Sequence, residues 1–480
     1  GGAAKGSGMG DAGAEEQMRL DAWFTAERER LLAELGELLR IPSVGALPAH
    51  REDMTRAAEW VAARLRAAGV PEVAALPTGG HPAVWGAWPA ADPQAPTALI
   101  YGHYDVQPPD PLDLWTTPPF EPTARDGRLY ARGATDDKGN VFIPIAVAEA
   151  FAAVNGQPPV GLVFLIEGEE EIGSPNLRAL LNQQRDRLHA DVAVSADGAM
   201  WGQDAPSLTV GSKGLVGLQL DVRGANSDLH SGLQGGLAPN PLNALASLLA
   251  SMRTPDGRIT VEGFHDGVRP LTQRERDDIA AVHFDEAAYK EALGITALVG
   301  DPAYSPLERN WARPTLDVNG LWGGFQGEGS KTVIPAEAHA KITCRLVPDQ
   351  EPEQVIAAIE RHARAHTPPG VTVAVRPLAG SSRAYVIAPD HPALAAAREA
   401  LRAAYGRDPL TIRLGGTLPV AEFFKADLGL DTIFLAWEMP DENLHGPNEF
   451  FRLENFDRGL RVYADFFQRL RQTTGPTTKE

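Results

Sequence analysis

The stretch VGLVFLIEGEEEIGS, running from Val160 to Ser174, decides the fold. Val160–Ile166 is an uninterrupted apolar run of strand length, the pattern of a strand covered on both faces. It runs straight into three glutamates, Glu169–Glu171, and then a Gly-Ser-Pro turn. Shorter apolar runs of the same kind lie at Ala98–Tyr101, Ala190–Ser195 and Thr432–Leu435. Helical patterns alternate with them at Lys138–Val154, Leu177–Leu188, Pro392–Tyr405, Val420–Lys425 and Leu453–Arg471. Strands alternating with helices predict an α/β unit with a mostly parallel, helix-covered sheet. His103, Glu170–Glu171, Asp197 and His445 all fall beyond the C-terminal ends of these strands. In an open α/β sheet that edge is where the ligand crevice forms.

Two amphipathic helices, Asp21–Leu39 and Met54–Ala68, precede this pattern. The texture changes after Val210. Long alternating strands are expected at Leu215–Val222 and Ala338–Leu346, with others at Arg258–Phe264, Thr315–Asn319 and Val371–Val375. Helices are expected at Pro241–Met252, in polar Leu271–Val299 and at Glu351–His366. This reads as a smaller α+β domain inserted into the larger one. The expected division is a tail or expression scar over 1–17, a catalytic domain over 18–209 and 387–480, and the insertion over 210–386.

The 480 residues carry 63 Asp+Glu against 44 Lys+Arg, a formal charge of −19. Phosphates would be repelled, so nucleic acid and anionic membrane surfaces are disfavoured as partners. Cys344 is the single cysteine, which excludes an intramolecular disulfide and cysteine-ligated zinc. No apolar run reaches the roughly 20 residues of a membrane span. GGAAKGSGMG at the start lacks a signal-peptide core, so a cytoplasmic protein is expected.

The chemistry sits in His103 and Asp105 of YGHYDVQP, Asp136 of RGATDDKG, Glu170 and Glu171 of EGEEEIGS, Asp197 of VSADG and His445 of LHGPNEFF. Taken singly, each has a plainer reading. Asp105 suits a turn, TDDKG an Asp-capped helix start, EEE a solvated acidic run, and Asp197 and His445 ordinary loops. Together they hold three carboxylate ligands, two imidazoles and a spare glutamate, an inventory that suits two divalent metal ions and a general base.

The order H-x-D, D-x-K-G, E-E-x-G-S, strand-end Asp, late His resembles the M20 family of dinuclear zinc peptidases, in particular its cytosolic dipeptidase (carnosinase-like) branch. The resemblance runs from about Asp21 onward. It implies that the insertion is a ferredoxin-like lid and dimerisation domain. It also implies that His103 and Asp197 hold one zinc, Glu171 and His445 the other, and Asp136 both, across a cis Asp136–Asp137 bond. Mn²⁺ or Co²⁺ would suit the same oxygen and nitrogen donors. Glu170 would be the general base and Asp105 would orient His103. In NSDLHSGLQGG, His230 would stabilise the oxyanion across a homodimer interface. In KTVIPAEAHAKITCRLVPD, Thr332 and Arg345 would receive a substrate carboxylate, and Gly416 and Thr417 of RLGGTLPV would cradle it. The implied substrate is a dipeptide or short peptide with a free C-terminal carboxylate. An N-acyl amino acid deacylase would use the same site. A non-catalytic homologue is disfavoured because ligands and base are all present.

Overall fold

The computed structural model describes residues 10–473, and they form two compact units. The larger comprises the chain up to Val210, Ile387–Leu410 and from Phe423 onward; the smaller comprises Gly211–Val386 and Thr411–Glu422.

A six-stranded sheet organises the larger unit. Its order is Glu72–Leu76, Ala83–Trp88, Gly161–Glu167, Thr97–His103, Val192–Ser195, Thr432–Phe434. The last four are parallel, and the first two add an antiparallel edge. Every residue of Gly161–Glu167 is buried, as its unbroken apolar run predicts. The register aligns the carboxyl ends. His103 pairs with Glu167, and Ser195 pairs with both Tyr101 and Phe434. The loops that follow therefore leave from one edge. The helix Gly139–Asn155 is buried over its first ten residues, almost all apolar, and packs between Asp11–Leu39 and Leu453–Arg471.

The two antiparallel edge strands were not expected. EVAAL and AVWGAW are short and rich in Ala and Gly, and give little alternation to read. The expected tail over 1–17 is corrected in part, because the first helix already begins at Asp11. Gln17 donates to Asp21 at 2.8 Å and accepts from Gln468 at 2.8 Å, which ties the second turn of this helix to the last helix. Residues 1–9 lie outside the described part.

The smaller unit is built on a four-stranded antiparallel sheet, in the order Thr315–Gly323, Glu337–Leu346, Gly214–Arg223, Thr372–Pro377. With helices Pro241–Ser251 and Pro352–His366 on one face, the chain order is βαββαβ, a ferredoxin-like arrangement. Leu218, Leu220, Leu245, Leu248, Ile342 and Ile359 are central to its core. Arg258–Phe264 is not a strand. Gly257 and Gly263, both at positive φ, break it, and Ile259 alone bridges, to Arg253. Leu271–Val299 divides into two short helices, Gln273–Ala280 and Glu286–Leu293, capped by Thr272 and Asp285.

Candidate metal centre

At the carboxyl edge of the larger sheet, two imidazoles and four carboxylates converge. His103 Nε2 lies 3.2 Å from Asp136 Oδ1, 3.4 Å from Asp197 Oδ2 and 3.5 Å from Glu170 Oε2. His445 Nε2 lies 3.0 Å from Asp136 Oδ2 and 3.2 Å from Glu171 Oε2. The two oxygens of Asp136 thus face different imidazoles, one with Asp197 beside it and the other with Glu171.

The main chain aims these groups. His103 ends its strand, fully buried, and its N–H donates to Asp137 Oδ2 at 3.1 Å. Its Nδ1 lies 2.9 Å from the Asp105 carbonyl oxygen and 3.1 Å from Asp105 Oδ1. The Asp105 carboxylate also accepts the N–H of Glu171 at 2.8 Å and of Glu170 at 3.3 Å. One buried aspartate therefore fixes the His103 imidazole and the loop carrying Glu170 and Glu171. The Asp136–Asp137 peptide bond is cis. Gln107 Nε2 donates to Glu171 Oε2 at 2.8 Å, and Ser195 Oγ donates to the Asp197 carbonyl at 2.8 Å. His445 sits at φ +61°, in the left-handed region, between Asn443 at +57° and Asn448 at +60°. Backbone of this kind in non-glycine residues concentrates at functional sites.

The electrostatics are those of a crowded anionic site. Burial, followed by Asp197, Glu171 and Asp136, pushes the Glu170 carboxyl above its ordinary range against the pull of His103. Burial acts to raise Asp136 as well, but the facing imidazoles of His103 and His445 outweigh it and hold that carboxyl far below the usual range. His103 Nε2, Glu171 Oε1, Asp137 Oδ1 and Glu438 Oε1 are all buried without a hydrogen-bond partner. Buried polar atoms are normally satisfied. Closely grouped imidazole and carboxylate atoms of this kind are what divalent cations would satisfy, so the donor set fits such ions.

In the smaller unit the expected residues form two groups. His230 pairs in register with Val333, and Ser231 N–H donates to the Thr332 carbonyl at 3.0 Å, which sets His230 beside Thr332. His230 is exposed, and its Nδ1 accepts the N–H of Gly232 at 2.9 Å. Arg345 Nη1 donates to Thr417 Oγ1 at 2.7 Å, and Lys213 N–H donates to the Gly416 carbonyl at 2.9 Å.

Residues 99–469 match the sequence model described as Peptidase family M20/M25/M40. The chain belongs to this peptidase family. Among M20 relatives, Beta-Ala-His dipeptidase of Homo sapiens is 33% identical over 395 residues, covering 80% of this chain and 76% of its own. Cys-Gly metallodipeptidase dug1 of Schizosaccharomyces pombe is 30% identical over 480 residues, covering 95% and 99%. The solved M20 metallo-carboxypeptidase Sso-CP2 from Sulfolobus solfataricus superposes with a TM-score of 0.77 at 30% identity, covering 92% of this chain and 99% of that one.

Sequence reading missed several residues of this M20 centre. Glu438 is buried beside Asp197, and burial, then Asp197, pushes its carboxyl well up. Lys138 is buried with Nζ donating to the carbonyls of Ile41 at 2.8 Å and Leu38 at 3.0 Å, and burial lowers it to about 7. Glu442 accepts from Thr135 Oγ1 at 2.9 Å. Glu449 accepts the N–H of Asp136 itself at 3.0 Å. Glu449 lies in the same motif as His445, four residues on, and that spacing was the one signal that could have found it.

Proposed function

We propose that this M20 peptidase hydrolyses the amide bond of dipeptides or short peptides with a free C-terminal carboxylate, using two zinc ions per subunit. The observation that carries the reading is the Asp136 carboxylate, with one oxygen toward His103 and the other toward His445. His103, Asp136 and Asp197 would hold one ion, and Asp136, Glu171 and His445 the other. Two such ions supply Lewis-acid polarisation of the scissile carbonyl and acidify an attacking water.

Glu170 stands outside the ligand set, about one-third exposed and beside His103. It takes a proton from water as the oxygen adds to the carbonyl carbon, then delivers it to the leaving amine as the C–N bond breaks. Asp105 keeps His103 and the Glu170 loop in place. Arg345 offers its planar fork to the substrate carboxylate, with Thr417 beside it and Gly416 next in the same loop, and Thr332, beside His230, would line the same pocket. His230 stabilises the oxyanion in the active site of a partner subunit. The homodimer is supported by Thr315–Gly323, an edge strand of the smaller sheet with Val318 and Leu321 exposed, a face open to pairing. Among the described residues no helix is long and apolar enough to cross a membrane. Cys344 is buried and free, and we retain a cytoplasmic setting as part of this proposal.

The test is one activity screen of the protein loaded with zinc or manganese, on unblocked dipeptides, dipeptides amidated at the C-terminus, and N-acyl amino acids. Cleavage confined to substrates with a free carboxylate, with preference for dipeptides, is the expected result. Turnover of N-acyl amino acids alone, or no turnover with two ions bound, would overturn it.

A further inference from the structure

We propose that Glu449 is a positioning residue that clasps together the two chain segments supplying ligands to the second metal position. This deepens the two-metal reading above and rests on it. Glu449 is buried to 1% exposure. Its Oε1 accepts from Arg132 Nη1 at 2.9 Å and from Gly133 N–H at 3.0 Å. Its Oε2 accepts from Thr135 N–H and Asp136 N–H, both at 3.0 Å. Four donors from one five-residue segment thus converge on one carboxylate, and the last belongs to the residue that faces both imidazoles.

The other end of the clasp is the His445 loop. Its positive-φ path is stitched internally by Gly446 N–H donating to the Asn443 carbonyl at 2.9 Å and Asn443 Nδ2 to the Asn448 carbonyl at 3.1 Å. Asn448 Oδ1 accepts Thr116 N–H at 2.8 Å, and Ala131 N–H donates to the Glu449 carbonyl at 3.1 Å. Glu449 is thereby held by main chain and side chain against the segment preceding the Asp136–Asp137 bond. His445 and Asp136 come from segments some 300 residues apart, and Glu449 makes their separation a local property. Glu171, the third member of that position, is fixed independently by Gln107 and by Asp105. Loss of Glu449 should therefore loosen two of the three ligands there. At the His103–Asp136–Asp197 position it would loosen only the shared Asp136.

Glu449→Gln tests this. The amide keeps one acceptor oxygen and turns an NH₂ toward two N–H donors, so at most one pair of the four bonds survives. Metal-free wild type, E449Q and His445→Ala are titrated with zinc against a competing chelator, and their metal-free melting temperatures and far-UV circular dichroism are recorded. The zinc equivalent that His445→Ala removes should weaken about 10–100-fold in folded E449Q, the range expected when an outer partner of a ligand is lost. The other equivalent should weaken less. In the His445→Ala background, E449Q should change zinc binding little further, although it still lowers the metal-free melting temperature. If E449Q does not fold, Glu449→Asp, which keeps the charge but shortens the reach, is titrated instead with the same expectation. Two equivalents of wild-type affinity in either folded variant, or equal weakening of both, would overturn the clasp. A wild type that binds fewer than two ions would instead overturn the two-metal reading.

Discussion

Replacing Asp105 by Asn probes the point on which His103, the proposed metal ligand, and Glu170, the proposed general base, both depend. The side chain is fully buried, and its two oxygens serve Glu171 N–H at 2.8 Å, Glu170 N–H at 3.3 Å and His103 Nδ1 at 3.1 Å. Asn is nearly isosteric, so no cavity opens, and the change is confined to donors and acceptors. Its single oxygen can keep the shortest bond, to Glu171. The NH₂ then faces Glu170 N–H and His103 Nδ1, both donors. His103 retains the Asp105 carbonyl at 2.9 Å, whereas Glu170 N–H retains nothing from this residue. One orphaned buried donor costs about 1–3 kcal/mol of stability. Disturbing the outer partner of a metal-ligating histidine typically costs about 10–100-fold in metal affinity or activity, equivalent to about 1.4–2.8 kcal/mol. The assay measures initial rates of dipeptide hydrolysis at limiting and saturating zinc, with a thermal melt of each variant. D105N should show weaker zinc affinity and a kcat lower by about 10–100-fold, and excess zinc should recover the first defect but not the second, because Glu170 remains misplaced. Wild-type kcat and zinc affinity in D105N would refute the assigned role.

Glu170→Gln should keep two metal equivalents and substrate binding while kcat falls by at least about 10²–10⁴-fold, the usual contribution of a general base; near-normal turnover would remove Glu170 from that role. Hybrid dimers joining a His230→Ala subunit to a Glu170→Gln subunit should regain up to about half of the wild-type activity per dimer, since a two-fold interface leaves one site with both residues intact. No recovery in verified hybrids, or full activity in a monomer, would end the case for His230 acting in trans.

How far the centre could be read from residues alone depended on what lay beside each one. Glu170 and Glu171 stood out because a seven-residue apolar run ends just before them, and His103 and Asp197 for the same reason on shorter runs. Glu438 carried the same sign, directly after the apolar run Ile433–Trp437, and was passed over; Glu449 gave none. Glu449 is one more acid in a loop, and its importance comes from neighbours some 300 positions away that only folding brings near. The antiparallel edge strands escaped because alanine and glycine carry too little hydrophobic contrast to show a two-residue period. Arg258–Phe264 misled in the opposite direction, since apolar spacing survived there while glycines at positive φ dissolved the strand.

The smaller unit takes its chain from two places, Gly211–Val386 and Thr411–Glu422. The second piece is only twelve residues long, yet it carries Gly416 and Thr417, the partners of Lys213 and Arg345. The insertion is consequently not a portable cassette. Grafting residues 211–386 onto another scaffold would move Arg345 without Thr417 and leave the hydroxyl that steadies its guanidinium behind. Recombination that exchanges this unit between relatives has to transfer both segments together, and changes on one side of 411–422 should track changes around Arg345 despite the seventy residues between them.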